Sequence, residues 1–112
     1  MTGSIENFFF AWGAPDDRRD AIVTEAVTDG VIYRDPKGEV TGARDLCLYV
    51  AEYSANAPGA AAEVVEETGE GSTRQVRVRF FGEGWEQFGR YGVTLDDHAR
   101  IARLDGVAET GA

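Results

Sequence analysis

A single cysteine, Cys47, excludes any disulfide within the chain. A single histidine, His98, stands beside Asp96 and Asp97, and one turn cannot supply the convergent ligands that a metal ion needs, so it is read as part of a solvated loop. Lys and Arg number 11 against 20 Asp and Glu, a net charge of −9. Such a shortage of cations argues against nucleic acid, whose binding is dominated by Lys and Arg contacts to phosphate, and against anionic membrane surfaces. No apolar run is long enough to span a bilayer. Phe8-Phe9-Phe10 is too short for a signal core, and Glu6 stands where a basic region would be needed. The glycines match no phosphate loop, since none lies between a strand and a helix at the required spacing. A cytoplasmic protein is expected, with no cofactor.

What remains is an ordinary globular composition, 43% hydrophobic and 28% charged, in 112 residues without repeat or linker. That is one domain, 1–112, with its core at about 5–107. Ile5, Phe8, Phe9 and Trp12 fall at helical spacing and predict a helix over 4–13, capped by Ser4, with Phe10 off the stripe. A second helix is predicted from about Asp17 to Val27, capped by Asp16 or Asp17, with Ile22, Val23, Ala26 and Val27 as its apolar side. Thr28-Asp29-Gly30 reads as a turn, followed by a short strand to Asp35 and a brief extended piece at Glu39-Val40. Thr41 is positioned to cap a third helix, Ala43 to about Ala55, on which Leu46, Tyr49, Val50 and Tyr53 share one face. Four strands follow: 60–68, 73–81, 85–95 and 100–105, with a frayed tail from Ala108. Helices followed by a run of antiparallel strands indicate an α+β domain.

The stretch Gly30-Val31-Ile32-Tyr33-Arg34-Asp35-Pro36-Lys37-Gly38 organises the chain. Side chains alternate along a strand, so Asp35 shares a face with Val31 and Tyr33, which should be buried. A carboxylate there is costly unless it is paired, protonated or wet. Pro36 has no N–H and ends the ladder just after it. The alternative is that Asp35 simply caps the turn before Lys37-Gly38.

This order and its punctuation resemble the nuclear transport factor 2-like superfamily, and more narrowly the SnoaL-like (polyketide cyclase-like) domain. The likeness is carried by Ala11-Trp12 closing the first helix and by Thr28 to Pro36. Gly38-Glu39-Val40-Thr41-Gly42, Ala57-Pro58-Gly59 and Asp96-Asp97-His98-Ala99-Arg100-Ile101 add to it. It implies a cone: a strongly curved antiparallel sheet wrapped around a long helix, with two further N-terminal helices and an apolar pocket. Asp35 matches the position of the general base in ketosteroid isomerases, likewise an Asp followed by Pro. The rest of that set does not carry over. The tyrosine that would donate to an oxyanion falls on Phe8, and the second acid falls on Tyr91, whose hydroxyl can still donate. The Asp–His pair of the polyketide cyclases and the Arg with two Asp of the epoxide hydrolases find no match.

Asp35 and Tyr91 are therefore the candidate catalytic groups, with Tyr33 to orient them. Trp12, Tyr33, Tyr49, Tyr53, Phe80, Trp85 and Gln87 are the candidate ligand-binding residues, although aromatics in such positions also fill cores. The implied partner is a small apolar carbonyl compound, and the implied chemistry is that of a cofactor-free isomerase, cyclase or dehydratase. The alternative is a non-catalytic ligand-binding or dimerisation module with a structural Asp35. Arg74, Arg77, Arg79 and Arg90 are expected to pair across strands with Glu63, Glu66 and Glu67. The resemblance further implies a homodimer through this outer sheet face, with Phe88 and Phe81 in it. Cys47 reads as inert packing.

Overall fold

The computed structural model describes residues 3–109. Helix α1, Ser4–Phe10, buries Ile5, Phe8 and Phe9, and runs into a tighter 3₁₀ turn, Ala11–Gly13, that buries Trp12. Ser4 lies inside the helix, and Gly3 occupies the capping position without a side-chain bond. Helix α2, Asp16–Ala26, starts after Pro15, whose missing N–H suits a helix entrance. Neither Asp16 nor Asp17 caps it. Its inner face carries Val23 and Ala26 together with Arg19, a buried arginine the apolar pattern did not reveal. Arg19 hydrogen-bonds the carbonyls of Ala11 and Ala14, Asp16 and the Ser54 hydroxyl, and so ties the 3₁₀ turn to the third helix.

Strand β1, Val27–Asp35, begins directly at the end of α2. Thr28-Asp29-Gly30 is not a turn; the strand runs through it, absorbing the tripeptide in a register shift against its neighbour. Pro36-Lys37 then reverse the chain into β2, Gly38–Thr41. Helix α3, Ala43–Asn56, follows. Its entrance is Gly42 at φ 98°, a left-handed value that favours glycine, and Thr41 makes no cap. Leu46 and Val50 are fully buried along α3, Tyr49 and Tyr53 pack beside them, and Leu48 faces solvent.

The remaining strands, β3 (Ala61–Glu70), β4 (Thr73–Gly82), β5 (Trp85–Leu95) and β6 (Ile101–Ala108), form an antiparallel meander. The sheet order is β2-β1-β6-β5-β4-β3. The sheet is mixed, because β1 lies parallel to β6, which corrects the all-antiparallel expectation. Strand β2, helix α3 and strands β3 to β5 lie between β1 and β6 in the chain, a long connection of the kind a parallel pair requires. Val76, Val78, Tyr91, Val93 and Leu104 face the helices and complete one core with Phe8, Phe9, Trp12 and Leu46.

The opposite face is charged. Arg79 bridges Glu63 and Glu86, and Arg74 reaches Glu67. Arg77 and Arg90 turn instead to Glu109, beyond the last strand. Glu109 also donates its backbone N–H to the Phe88 carbonyl, so the chain is held at Ala108 and Glu109, where a frayed tail was expected; residues 110–112 lie outside the described residues. The guanidinium groups of Arg77 and Arg79 each lie 4.1 Å from a ring centroid, Phe88 and Phe81 respectively. No helix among the described residues is long and apolar enough to cross a membrane.

Candidate functional site

A cavity of about 610 Å³ opens between α3 and the ends of β4, β5 and β6. Trp12, Asp35, Tyr49, Tyr53, Phe80, Trp85, Gln87 and Tyr91 all line it, with Lys37, Glu52 and Asn56 among the other lining residues. The pieces come from four parts of the fold. The 3₁₀ turn brings Trp12, the end of β1 brings Asp35, α3 brings Tyr49 and Tyr53, and the meander brings Phe80, Trp85, Gln87 and Tyr91. Tyr33 is the one expected ligand-binding residue that does not line the cavity. It is wholly buried behind the wall, and its role is to hold Asp35.

Asp35 ends β1 half-buried, and both readings of it hold at once. Its Oδ1 accepts the backbone N–H groups of Lys37 at 2.8 Å and Gly38 at 3.1 Å, an Asx turn built on Pro36. Its Oδ2 accepts the Tyr33 hydroxyl at 2.7 Å. The Tyr49 hydroxyl straddles the two oxygens, 2.7 Å from each. Tyr91 lies 2.9 Å from Tyr33, oxygen to oxygen. Each phenol has one proton to give, and an ionised carboxylate can only accept. Tyr33 gives its proton to Asp35, so Tyr91 donates to Tyr33, and all three phenol protons point toward the carboxylate.

The phenols stay neutral. Burial pushes Tyr33 far above the ordinary phenol value, and the neighbouring Tyr91 and Asp35 add to the rise. Tyr49 is raised by burial first, then by its hydrogen bond to Asp35 and the charge there. Burial likewise raises Tyr91 and Tyr53. At neutral pH the site therefore holds neutral hydroxyl donors around one acid.

Tyr91 owes its position to a glycine that the sequence reading passed over. Gly106 of β6 lies directly opposite Tyr91 of β5, and the ring folds flat over it. A methyl group on Gly106 would sit 2.9 Å from Tyr91 Cδ2 and Cζ, and nearer still to Cε2. The other face of the site is a mosaic of aromatic edges: Trp12 meets Tyr53 at 4.9 Å between centroids and Phe80 at 5.4 Å, both edge-on. Trp12 Nε1 is buried with no acceptor among the described residues. The pairing of Tyr49 with Asp35 is the contact within the cavity wall that sequence reasoning missed. Tyr49 was visible as a cavity residue on α3, but nothing in 14 residues of separation announces that its hydroxyl meets the end of β1.

His98 is exposed in the β5–β6 turn, where its backbone N–H and that of Arg100 bond the Asp96 carboxylate. Among the described residues no three His, Cys, Asp or Glu side chains are grouped to hold a metal ion.

No protein-family model matches the chain, and no curated protein does. Solved structures do. A SnoaL-like family member from Agrobacterium tumefaciens, proposed to be an isomerase, superposes with a TM-score of 0.84 at 20% identity, over 95% of this chain and 94% of that one. A proposed polyketide cyclase from Sinorhizobium meliloti gives 0.77 at 21% identity over 95% and 94%. A designed protein with a curved sheet also matches, with a TM-score of 0.73 at 11% identity over 96% of this chain and 83% of that one. At these identities the likeness is one of fold: the chain has the cone-shaped α+β architecture of the nuclear transport factor 2-like and SnoaL-like proteins. That a designed protein shares it underlines that the architecture alone carries no activity.

Proposed function

We propose that the cavity is the active site of a cofactor-free acid/base enzyme that moves a proton on a small, largely apolar carbonyl compound, with Asp35 as the base and acid. The observation that carries this reading is a carboxylate at the wall of an aromatic cavity, tied to phenols on both sides. Apolar walls suit a carbon skeleton, and Gln87 and the phenols supply the few polar groups that orient a ligand. An acid so placed can take a proton from carbon next to a carbonyl and return it elsewhere, the chemistry of isomerisation, cyclisation and dehydration. The proposed isomerase and cyclase assignments of the structural neighbours belong to those proteins and lend this reading chemical precedent only.

Deuterium uptake tests it without knowledge of the natural substrate. In D₂O the protein is expected to exchange the α-protons of simple cyclic ketones, followed by proton NMR, and Asp35→Asn is expected to lose that exchange. Uptake that is equal with and without protein, or that survives Asp35→Asn, removes the enzymatic reading.

A second reading has its own observation. Two backbone N–H groups and two phenols satisfy Asp35 completely, as they would a purely structural turn acid. On that reading the cavity binds a ligand without turning it over, and saturable quenching of Trp12 and Trp85 fluorescence by a ketone that undergoes no exchange is its signature. We further propose a cytoplasmic homodimer joined through the outer sheet face, where Phe81 and Phe88 lie under arginines. Light scattering at micromolar concentration that gives a monomer mass would count against it.

A further inference from the structure

We propose that Tyr49 is the hydrogen-bond donor that this site turns from Asp35 to the substrate's carbonyl oxygen, so that one side-chain movement uncovers the base and supplies the oxyanion's partner. The proposal rests on the reading of Asp35 as the base. Its premise is a count. A carboxylate offers about four lone-pair directions, and four donors already fill them. As it stands, Asp35 has no free lone pair for a substrate proton. One donor must leave before it can act.

Three of the four cannot leave. Lys37 N and Gly38 N are backbone groups fixed by the Pro36 turn. Tyr33 is wholly buried and is itself held by Tyr91. Of the two side-chain donors, Tyr33 and Tyr49, only Tyr49 is both partly exposed and on the cavity wall. Its single proton is shared between two oxygens, and a rotation of the half-buried side chain carries the hydroxyl, oxygen and proton together, away from the carboxylate and toward the cavity. Asp35 keeps three donors afterwards and is not stranded. Tyr91 is a poorer source, because its proton is committed to Tyr33 and its side chain is 4% exposed.

The step then balances. Tyr49 donates to the carbonyl oxygen, and the vacated lone pair of Asp35 takes a proton from the adjacent carbon. The C–H electron pair becomes the C=C bond of an enolate, and the former C=O pair rests on the oxygen under Tyr49. Asp35 returns a proton to the same carbon, or, where the substrate carries a C=C bond next to that carbon, to the far end of the resulting dienolate; the carbonyl re-forms, and Tyr49 swings back. Nothing is oxidised or reduced, and Tyr49 keeps its proton throughout.

The test uses 2-tetralone, labelled with ¹³C at its carbonyl, and the full-length protein. Saturable quenching of tryptophan fluorescence establishes binding, isotope-edited infrared spectroscopy reads the carbonyl stretch, and proton NMR reads deuterium uptake. In the wild type the stretch is expected to move to lower frequency on binding. In Tyr49→Phe binding should persist, the shift should vanish, and kcat for uptake should fall about 10²- to 10³-fold with KM little changed, as when one oxyanion donor is removed. Should Tyr49→Phe fail to fold, the ¹³Cζ signal of Tyr49 in the wild type carries the test: it must move on binding while that of Tyr33 does not. A carbonyl shift that survives Tyr49→Phe and is lost in Tyr53→Phe or Tyr91→Phe overturns the assignment. So does an unchanged or faster uptake in Tyr49→Phe, which would make Tyr49 a cover only. Uptake lost in Asp35→Asn but untouched in Tyr49→Phe overturns this inference and leaves the base in place. Uptake that survives Asp35→Asn, or a wild type that does not bind the ketone, overturns both.

Discussion

Replacing Gly106 by Ala tests whether the slot for Tyr91 is as tight as its geometry implies. The added methyl would enter the Tyr91 ring, 2.9 Å from Cδ2 and Cζ. The ring cannot step aside cheaply: it is buried, its hydroxyl is bonded to Tyr33, and Phe9 packs 5.0 Å away between centroids. Overpacking of this kind destabilises by about 1–3 kcal/mol. Gly106 is not at positive φ, so alanine is unstrained there and restores about 0.4–1 kcal/mol by restricting the unfolded chain. The net loss should be about 1–2 kcal/mol. With an m-value of about 1–2 kcal/mol/M, the urea midpoint should fall by about 1 M. The decisive control is the same change in a Tyr91→Val background, where the ring is gone. There Gly106→Ala should become neutral or stabilising by about 0.5 kcal/mol, giving a coupling of about 1–3 kcal/mol between the two positions. Equal effects of Gly106→Ala in both backgrounds, or a single variant as stable as the wild type, would refute the slot.

Arg19→Met should cost about 2–4 kcal/mol by urea unfolding, because it leaves the Ala11 and Ala14 carbonyls without their buried donor. Arg19→Lys should recover little of this, since an ammonium lacks the planar fork that reaches both carbonyls. Tyr33, Tyr49 and Tyr91 all have folded values above the ordinary phenol value. Stability from a raised group is complete below the unfolded value, about pH 10, and is lost as pH rises toward the folded one. The chain should therefore keep its stability to about pH 10 and unfold above it, with phenolate absorbance appearing together with loss of circular dichroism. In Asp35→Asn the Tyr49 ¹³Cζ midpoint should fall toward the ordinary phenol value. An Asp35→Asn midpoint equal to that of the wild type would mean that Asp35 contributes nothing to holding the Tyr49 proton.

The parts of this fold governed by short-range periodicity were legible in the residues. Val76, Val78 and Phe80 alternate as a half-buried strand must, and Ile5, Phe8, Phe9 and Trp12 mark one helix face. Asp35 before Pro36 marked the end of β1, and the cavity formed beside it. What was not legible depended on partners distant in the chain. Strand β1 pairs in parallel with β6, some 70 residues on, and that pairing carries β1 through a tripeptide rich in turn formers. The expected caps at Ser4, Asp16 or Asp17 and Thr41 did not form, because Gly3, Pro15 and Gly42 set the entrances by backbone conformation instead. Arg19 was hidden because a charged residue on a helix normally signals the wet face, and only the Ala11 and Ala14 carbonyls at the 3₁₀ turn, distant from any helix pattern, make it the buried one. Tyr49 and Asp35 meet because of the angle at which α3 packs on the sheet, a quantity no local pattern encodes.

Strand β3 closes the sheet on one side, and its outward backbone groups offer a template for any other extended chain. Glu63, Glu66, Glu67 and Glu70 are spaced along it. Two copies approaching border to border would bring eight carboxylates together with only partial neutralisation from Arg74 and Arg79. This acidic hem turns the molecule away from ribbon-like aggregation along that border.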